Sequence, residues 1–333
     1  MKRYLTGKSI CVRISDGRME KRQVTYQEAY KKAVRNLNEN QISDAESDAW
    51  ILMEHVTGMN RTRYYVDGFD EMDPEDEKQY FELIGKRLQR IPVQHLTGIQ
   101  EFMGMAFMVN EHVLIPRQDT EILVEEAENS PRIRGEEFGD EAREEFPEEL
   151  IRREIPGNIE VLDMCTGSGC IIISMKKRNP ELVCTAVDVS EEALAVAREN
   201  ARRLGADVEF IKSDMFSEIQ GQFDIIVSNP PYIPTAVIGG LEEEVQKYDP
   251  FIALDGREDG LYFYRILAEE SRKYLKDGGY LYLEIGHDQK EAVEELLREA
   301  GFEKIHTQKD LAGLDRVVSG VYNISGENSK IES

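Results

Sequence analysis

The sequence predicts an α/β protein with a seven-stranded, mostly parallel sheet and a small all-helical N-terminal domain. Two observations support this fold class. Residues 24–91 carry apolar side chains at helical spacing and no strand-like runs. From Ile159 onward, short β-branched runs alternate with amphipathic stretches, an order typical of a parallel sheet covered by helices on both faces.

Size and charge narrow the function classes. The chain has 333 residues, of which 41% are hydrophobic, so it is long enough for two domains with real cores. Its 41 basic and 65 acidic residues give a formal net charge of −24. Such a chain repels a phosphate backbone unless it has a local basic patch. Residues 2–35 are rich in Lys and Arg, but a solvated helix face with a loose tail is the favoured interpretation of this region.

The cysteine pattern indicates reduced thiols. Cys11, Cys165, Cys170 and Cys184 form neither a CxxC pair nor a zinc-type Cys/His pattern, and no HExxH occurs, so we expect no metal site. The N-terminus lacks the apolar segment of a signal peptide, and no apolar run reaches bilayer length. We therefore expect a cytoplasmic protein with no membrane partner.

Three helices are expected in the N-terminal domain, residues 1–91, to which we assign substrate recognition. Thr25 and Glu28 form a capping box before the first helix, and Ser43 and Glu46 suggest a second. The pair Asp73–Pro74 is typical of the start of a third helix. No residue set in this region suggests catalysis.

A joint between domains is expected over residues 92–116. Residues 100–109 alternate loosely around a glycine, which predicts a β-hairpin. In the following segment, Asp119 or Thr120 can cap the next helix. Alternatively, Arg117 and the neighbouring acids face an active cleft, and the sequence does not decide between the two. Residues 117–333 would form the larger domain, in which the charged residues 129–157 are expected to be a solvated insertion.

The strands of the larger domain follow from apolar runs separated by helical segments. The last two are joined by a loop too short for a helix and should be antiparallel. The seven predicted strands cover residues 159–163, 182–187, 208–211, 223–227, 280–285, 302–307 and 317–322.

Three features point to a cofactor site at the carboxyl ends of these strands, where ligands of such sheets bind. The turn Cys165–Thr166–Gly167–Ser168–Gly169 has few bulky side chains, so a ligand can lie against its backbone N–H groups. Asp188 ends the next strand, where an acid can hydrogen-bond ribose hydroxyls. Asp214, Met215 and Phe216 follow the third strand and offer an acid with apolar cover for an adenine ring.

The chemistry of these features favours a nucleoside cofactor without phosphates. The pyrophosphate fingerprint G-x-G-x-x-G is absent, because Ile172 stands where its last glycine would be, and no P-loop occurs. S-adenosylmethionine is a nucleoside cofactor without phosphates, so we expect it here.

The acceptor site is predicted at Asn229–Pro230–Pro231–Tyr232, directly after the fourth strand. The two prolines fix the backbone and have no N–H to donate. We expect the Asn229 amide and the Pro230 carbonyl to accept the hydrogens of a planar, N–H-bearing substrate, and we expect Asn229 to contact the cofactor as well. The Tyr232 ring would pack on its face.

Together, the turn at 163–169, Asp188 and Asn229–Pro230–Pro231–Tyr232 resemble the class I S-adenosylmethionine-dependent methyltransferases with a Rossmann-like sheet. The tetrapeptide is shared by adenine-N6 and glutamine-amide enzymes. Residues 54–58, 94–98, 101–102 and 114–121 resemble the release-factor glutamine N5-methyltransferases, the PrmC/HemK family. The resemblance covers residues 25–323. It implies methylation of the glutamine in the Gly-Gly-Gln loop of peptide-chain release factors, with no direct nucleic-acid substrate.

The resemblance has two departures. The family usually has glycine where Cys165 stands, and the segments 1–23 and 129–157 are longer than its norm. Two other functions remain as alternatives. One is an adenine-N6 methyltransferase acting on RNA or DNA, against which the net charge of −24 counts. The other is a cofactor-binding regulator without turnover, against which an intact Asn229 site counts.

Overall fold

The computed structural model describes residues 23–135 and 158–324, together with the backbone of two short strands, β1 (Cys11–Arg13) and β2 (Met19–Lys21). The chain divides into two compact units, residues 1–98 and 99–333. The predicted domain limits, 1–91, 92–116 and 117–333, stay a prediction. Residues 1–10, 14–18, 22, 136–157 and 325–333 lie outside the described part, and with them most of the N-terminal extension and of the charged insertion.

The N-terminal unit is mainly helical. Its core is formed by side chains such as Leu37, Trp50, Leu52 and Tyr80, which are buried between the helices. The helices are α1 (Tyr26–Glu39), α2 (Ala45–Thr57), α3 (Arg61–Asp67), α4 (Pro74–Arg87) and α5 (Val93–Thr97).

Two of the three predicted helix starts are confirmed. The Thr25 hydroxyl accepts from the Glu28 backbone N–H at 3.3 Å, and the Glu28 carboxylate accepts from the Thr25 N–H at 3.1 Å. Asp73 accepts from the Glu75 N–H at 2.9 Å, with Pro74 in the first turn of α4. The predicted capping box of Ser43 and Glu46 was wrong, because α2 is capped at Asp44 without a side-chain cap bond. The Ser43 hydroxyl donates to that aspartate instead.

The expectation of an all-helical unit was incomplete. β1 and β2 pair antiparallel. The sequence also did not predict α3, because none of its residues is buried and it therefore has no apolar stripe. The short α5 occupies the first part of the segment predicted as the hairpin joint.

The second unit begins with the predicted hairpin, which is confirmed as β3 (Ile99–Phe102) and β4 (Met105–Met108). The next elements are α6 (Glu121–Glu128), α7 (Pro131–Arg134), β5 (Glu160–Met164), α8 (Cys170–Arg178), β6 (Val183–Asp188), α9 (Glu191–Leu204), β7 (Glu209–Lys212) and β8 (Phe223–Ser228). The remaining elements are α10 (Thr235–Ile238), α11 (Glu243–Tyr248), α12 (Phe251–Leu254), α13 (Tyr262–Tyr274), β9 (Leu275–Glu284), α14 (Lys290–Glu299), β10 (Glu303–Lys309) and β11 (Asp315–Tyr322).

The seven-stranded, mostly parallel sheet is confirmed, with the order β10-β11-β9-β8-β5-β6-β7. The β5, β6, β7, β8 and β9 strands are parallel to their neighbours in this group. As predicted, β11 is antiparallel to β10, and it is also antiparallel to β9. The observed strands differ from the predicted ranges by one or two residues at most ends. β9 differs most, because it already pairs at Leu275 with Phe223, ahead of an irregularity at its glycines.

Both faces of the sheet are buried. Neighbouring residues of one strand point to opposite faces, so Val161 lies in one core and Leu162 in the other. The same division applies to Ile225 and Ile226. Helices α6 and α8 cover the first face, and α13 and α14 cover the second. This double cover explains why the central strands are nearly continuous apolar runs.

Candidate active site

The two sequence motifs are adjacent because β5 and β8 are neighbouring parallel strands. Met164 pairs with Ser228 at their carboxyl ends. The Ser228 hydroxyl donates to the Met164 carbonyl at 2.6 Å. Cys165 and Asn229 follow these two residues directly, so the glycine-rich turn and the Asn-Pro-Pro-Tyr segment start side by side.

The glycine-rich turn has three residues with positive φ: Cys165 at 65°, Gly167 at 54° and Gly169 at 81°. The Thr166 backbone N–H donates to the Val187 carbonyl at 2.9 Å. Its hydroxyl donates to Asp163 Oδ2 at 2.6 Å. These bonds hold the turn against the ends of β5 and β6.

Asp188 ends β6 and is bound by backbone groups on both sides. Its Oδ2 accepts from the Gly167 N–H and its Oδ1 from the Ser190 N–H, each at 2.9 Å. Burial raises the pKa of Asp188, and these backbone hydrogen bonds act against the rise. Each carboxylate oxygen has two lone pairs, so the side chain can still accept hydrogens from a ligand.

Of the third predicted group, which is Asp214, Met215 and Phe216, only the first two residues lie at the site. Asp214 is exposed and Met215 is buried, and both line the same cavity as Asp188. Phe216 was expected to cover an adenine ring, but it stacks on Tyr274 in the core, with ring centroids 4.9 Å apart.

These residues surround a cavity of about 270 Å³. Nine of the predicted site residues line it: Cys165, Thr166, Gly167, Ser168, Asp188, Asp214, Met215, Asn229 and Pro231. Three others do not. Gly169 is packed under the turn, Pro230 is buried, and Tyr232 is half-buried beside the cavity. Burial raises the pKa of Tyr232, as does the nearby Glu284, so its phenol stays protonated.

The residues present fit S-adenosylmethionine. A methyl group added at Gly167 would meet nothing within 4 Å, so the turn has open space in front of it for a ligand. The carboxylates of Asp188 and Asp214 suit ribose hydroxyls or a cationic group better than a pyrophosphate. When bound, this cofactor supplies a methyl group activated by its sulfonium sulfur.

Asn229 contacts a residue from a distant segment. Its Nδ2 donates to the Thr120 hydroxyl at 3.2 Å, across 109 positions of sequence. The hypothesis that Thr120 or Asp119 caps α6 was wrong, because no side-chain cap bond forms there. Instead Thr120 and Arg117 line the cavity. Arg117 is held by an ion pair with the buried Asp249 at 2.7 Å.

Behind Thr120 and Asn229 lies Glu284, which is 2% exposed at the end of β9. Burial raises its pKa to about 7, and the neighbouring Thr120 hydroxyl, Arg316 guanidinium and Asn229 amide act against this rise. We did not single out Glu284 from the sequence. Its signal is an acid at the end of an otherwise apolar strand, next to the strand that precedes Asn229.

Two further buried side chains fix the site and were also missed. Asn200 accepts from the Met108 N–H at 2.7 Å and donates to the Ser168 carbonyl at 2.9 Å, which ties the hairpin to the glycine-rich turn. Gln289 donates to the Tyr232 carbonyl at 2.9 Å and so fixes the end of the Asn-Pro-Pro-Tyr segment.

The other sequence expectations concern thiols, metals and membranes. Cys165, Cys170 and Cys184 are free thiols, and burial raises the pKa of Cys170 to about 12. Over residues 23–135 and 158–324, no group of His, Cys, Asp and Glu side chains is arranged to hold a metal ion. None of the helices described is long and apolar enough to cross a membrane.

Comparison with known proteins identifies the family. Residues 28–98 match the PrmC N-terminal domain, and residues 146–238 match the methyltransferase small domain. The release factor glutamine methyltransferase of Geobacter sulfurreducens is 38% identical over 285 residues, which is 85% of this chain and 92% of that protein. The enzyme of the same description from Caulobacter vibrioides is 37% identical over 303 residues, 90% of this chain and 97% of that protein.

A solved structure is also similar. It is the protein-(glutamine-N5) methyltransferase (release factor-specific) of Alicyclobacillus acidocaldarius, 30% identical, with a TM-score of 0.36 over 65% of this chain and 99% of that chain. The methyltransferase match agrees with S-adenosylmethionine as the cofactor. With the two relatives covering more than four-fifths of its length, the chain belongs to the release factor glutamine methyltransferase family.

Proposed function

We propose that this protein transfers a methyl group from S-adenosylmethionine to the side-chain amide nitrogen (N5) of a glutamine, the one in the Gly-Gly-Gln motif of peptide-chain release factors. The observation that supports this most is the position of Asn229. It lines the same cavity as the glycine-rich turn and Asp188, so a carboxamide held at Asn229 would face the cofactor.

The residues of the turn and β6 would hold the cofactor. The backbone of residues 165–169 offers a surface free of large side chains. Asp188 offers acceptor oxygens for the ribose hydroxyls, and its position is fixed by the Gly167 and Ser190 N–H groups. Asp214 and Met215 lie at the same cavity.

The acceptor amide needs orientation, because its lone pair is delocalised into the carbonyl and is a poor nucleophile. Asn229 Oδ1 and the Pro230 carbonyl would accept the two amide hydrogens. This directs the nitrogen at the methyl group and favours the positive charge that develops as the bond forms. Tyr232 would pack beside the amide plane, and the proton would leave to water.

The runner-up, an adenine-N6 methyltransferase, would use the same Asn-Pro-Pro-Tyr chemistry. A net charge of −24 and relatives described as release factor glutamine methyltransferases favour the protein substrate. Since release factors act in translation, we expect the protein to work in the cytoplasm.

The test is methyl transfer from tritiated cofactor to a purified release factor, compared with RNA and DNA. Mass spectrometry of the Gly-Gly-Gln peptide should locate one added methyl group on the glutamine. The matched control is the same release factor with that glutamine replaced by glutamate, which should take up no label. Label in the nucleic acid, and none in the release factor, would contradict the proposal.

A further inference from the structure

Three side chains from separate segments lie close together at one wall of the cavity. Thr120 comes from the turn before α6, Asn229 follows β8, and Glu284 ends β9. The Asn229 Nδ2 donates to Thr120 Oγ1 at 3.2 Å. Both side chains lie near enough to the Glu284 carboxylate to lower its pKa, and the buried Glu284 Oε2 has no hydrogen-bond partner in the described part of the chain, so it is free to accept a hydrogen. Thr120 and Asn229 line the cavity, and Thr120 and Glu284 are each only 2% exposed.

The hydrogens in this cluster can be assigned by counting donors. A threonine hydroxyl has one hydrogen to give, and an ionised carboxylate can only accept. An ionised Glu284 would be the stronger acceptor for that hydrogen, and its Oε2 is buried without a partner in the described part of the chain. With its hydrogen given to the carboxylate, the Thr120 hydroxyl would have only lone pairs left for Asn229. The side of the Asn229 amide that faces Thr120 must then be the NH₂ group, as observed.

We propose that Thr120 and Glu284 are positioning residues that fix the orientation of the Asn229 amide, so that its oxygen, and not its NH₂ group, is presented to the acceptor. This inference rests on the proposed function and deepens it. The Asn229 amide could point either its oxygen or its NH₂ group at the cavity, and the inference explains why the oxygen points toward the substrate glutamine. Neither residue needs to touch the reacting atoms.

The opposite orientation is disfavoured by unpaired groups. If the amide turned over, Asn229 Oδ1 would face the lone pairs of Thr120. The Thr120 hydroxyl could donate to Oδ1 only if it stopped donating to Glu284. The buried Glu284 carboxylate would then lose a hydrogen-bond donor. A buried polar group without a partner is costly, so one orientation is strongly preferred.

Charges around Glu284 decide whether it stays ionised. Burial raises its pKa to about 7, the Asp119 carboxylate also raises it, and the Arg316 guanidinium lowers it. Arg316 itself is bound by Asp310 at 2.9 Å and by Asp119 at 3.3 Å. The titratable or charged groups that face the carboxylate are Asp119, Cys170, Tyr232, Tyr264 and Arg316.

The test compares Thr120→Val with Thr120→Ser. Valine keeps the shape of threonine and removes the hydroxyl, whereas serine keeps the hydroxyl. With a release factor as acceptor, Thr120→Val should lower kcat by about tenfold, the effect of one lost hydrogen bond, and change the cofactor Kd far less. Thr120→Ser should recover most of the lost kcat. A purely structural role would not separate these two variants in this way.

A second readout uses Glu284→Gln and pH. Glutamine can donate as well as accept, so it no longer dictates the orientation of the hydroxyl, and kcat should fall by about tenfold. Wild-type kcat should decrease as the pH is lowered through about 7, the pKa of Glu284, and this decrease should be absent in Glu284→Gln. Wild-type kcat in both Thr120→Val and Glu284→Gln would overturn the proposal.

A third readout does not depend on turnover. In NMR spectra, the Asn229 side-chain NH₂ signals, assigned by their loss in Asn229→Ala, should exchange slowly with solvent in wild type and faster in Thr120→Val. Equal exchange in the two proteins would refute the positioning role even if no release factor were methylated. An inactive wild type with the expected difference would refute the proposed substrate alone.

Discussion

The Gly167 backbone N–H donates to Asp188 Oδ2 at 2.9 Å, which links the turn after β5 to the carboxyl end of β6. The other carboxylate oxygen accepts from the Ser190 N–H at the start of α9. Asp188 therefore holds the glycine-rich turn in place and also lines the cavity. A substitution of Asp188 should weaken the binding of the cofactor more than the binding of the acceptor.

Asp188→Ala should raise the cofactor Kd by about tenfold or more, because it removes charge-assisted hydrogen bonds in a largely buried site. Isothermal titration calorimetry measures this directly. Asp188→Asn, which keeps one acceptor oxygen, should lose less affinity. An unchanged Kd in Asp188→Ala would exclude this carboxylate from the cofactor site.

Asn229→Ala should reduce kcat on a release factor by about 10²-fold, because an acceptor aimed at the developing charge is lost. The cofactor Kd should change far less than kcat, since the glycine-rich turn and Asp188 are unaltered. The assay is methyl transfer under saturating cofactor, with circular dichroism as a check of folding. Near-normal turnover in a folded variant would contradict the assigned role.

Gly167 and Gly169 should respond differently to alanine although both have positive φ. A Cβ at Gly169 would lie 2.7 Å from Ile173 Cδ1 and 3.2 Å from Ala197 Cβ, between α8 and α9. Gly169→Ala should therefore lose about 1–3 kcal/mol more unfolding free energy than Gly167→Ala. Gly167→Ala places its methyl group in the cavity and should mainly weaken cofactor binding. Urea unfolding and calorimetry of both variants separate these effects, and equal stability losses would contradict the packing argument.

Cys165 occupies a backbone conformation that favours glycine, with φ at 65°. Cys165→Gly should be more stable than Cys165→Ala by about 1 kcal/mol, because both variants lack the thiol and only alanine keeps the strained Cβ. Thermal or urea unfolding of the pair measures this difference. If the alanine variant were the more stable one, the strain at this position would be disproved.

Glu284 should make stability depend on pH. Its pKa is raised from about 4.5 to about 7 in the folded protein, so the native state holds this proton more tightly than the unfolded chain. Its contribution to stability is therefore most favourable below about pH 4.5 and declines as the pH rises to about 7. Glu284→Gln does not titrate, so its stability relative to wild type should increase by on the order of 1–3 kcal/mol over this window. Urea unfolding of both proteins at about pH 5 and about pH 8 tests the sign.

Much of the second unit follows from local sequence patterns. Apolar β-branched runs predicted all seven strands. The glycine-rich turn and Asn-Pro-Pro-Tyr were placed at strand ends because the strands themselves were correctly located. By contrast, α10, α11 and α12 were not predicted. They have four to six residues each, too few for an apolar period to show.

The contacts between distant segments of the site could not be derived from local sequence patterns. Thr120 and Asn229 are 109 positions apart, and nothing in either segment specifies the other as its partner. Asn200 lies within α9, where a single polar residue on a helix is normally solvated; here it is buried and binds the hairpin. Such pairings depend on the order of strands and helices in space, which spacing along the chain does not determine.

The bond between the Ser228 hydroxyl and the Met164 carbonyl has a mechanical consequence. The glycine-rich turn and the Asn-Pro-Pro-Tyr segment both follow the last paired residues of β5 and β8, two adjacent strands at the middle of the sheet. The backbone of the sheet fixes the position of the two segments relative to each other. Their alignment therefore does not have to form again in each catalytic cycle. Loss of that alignment would require the centre of the sheet to break.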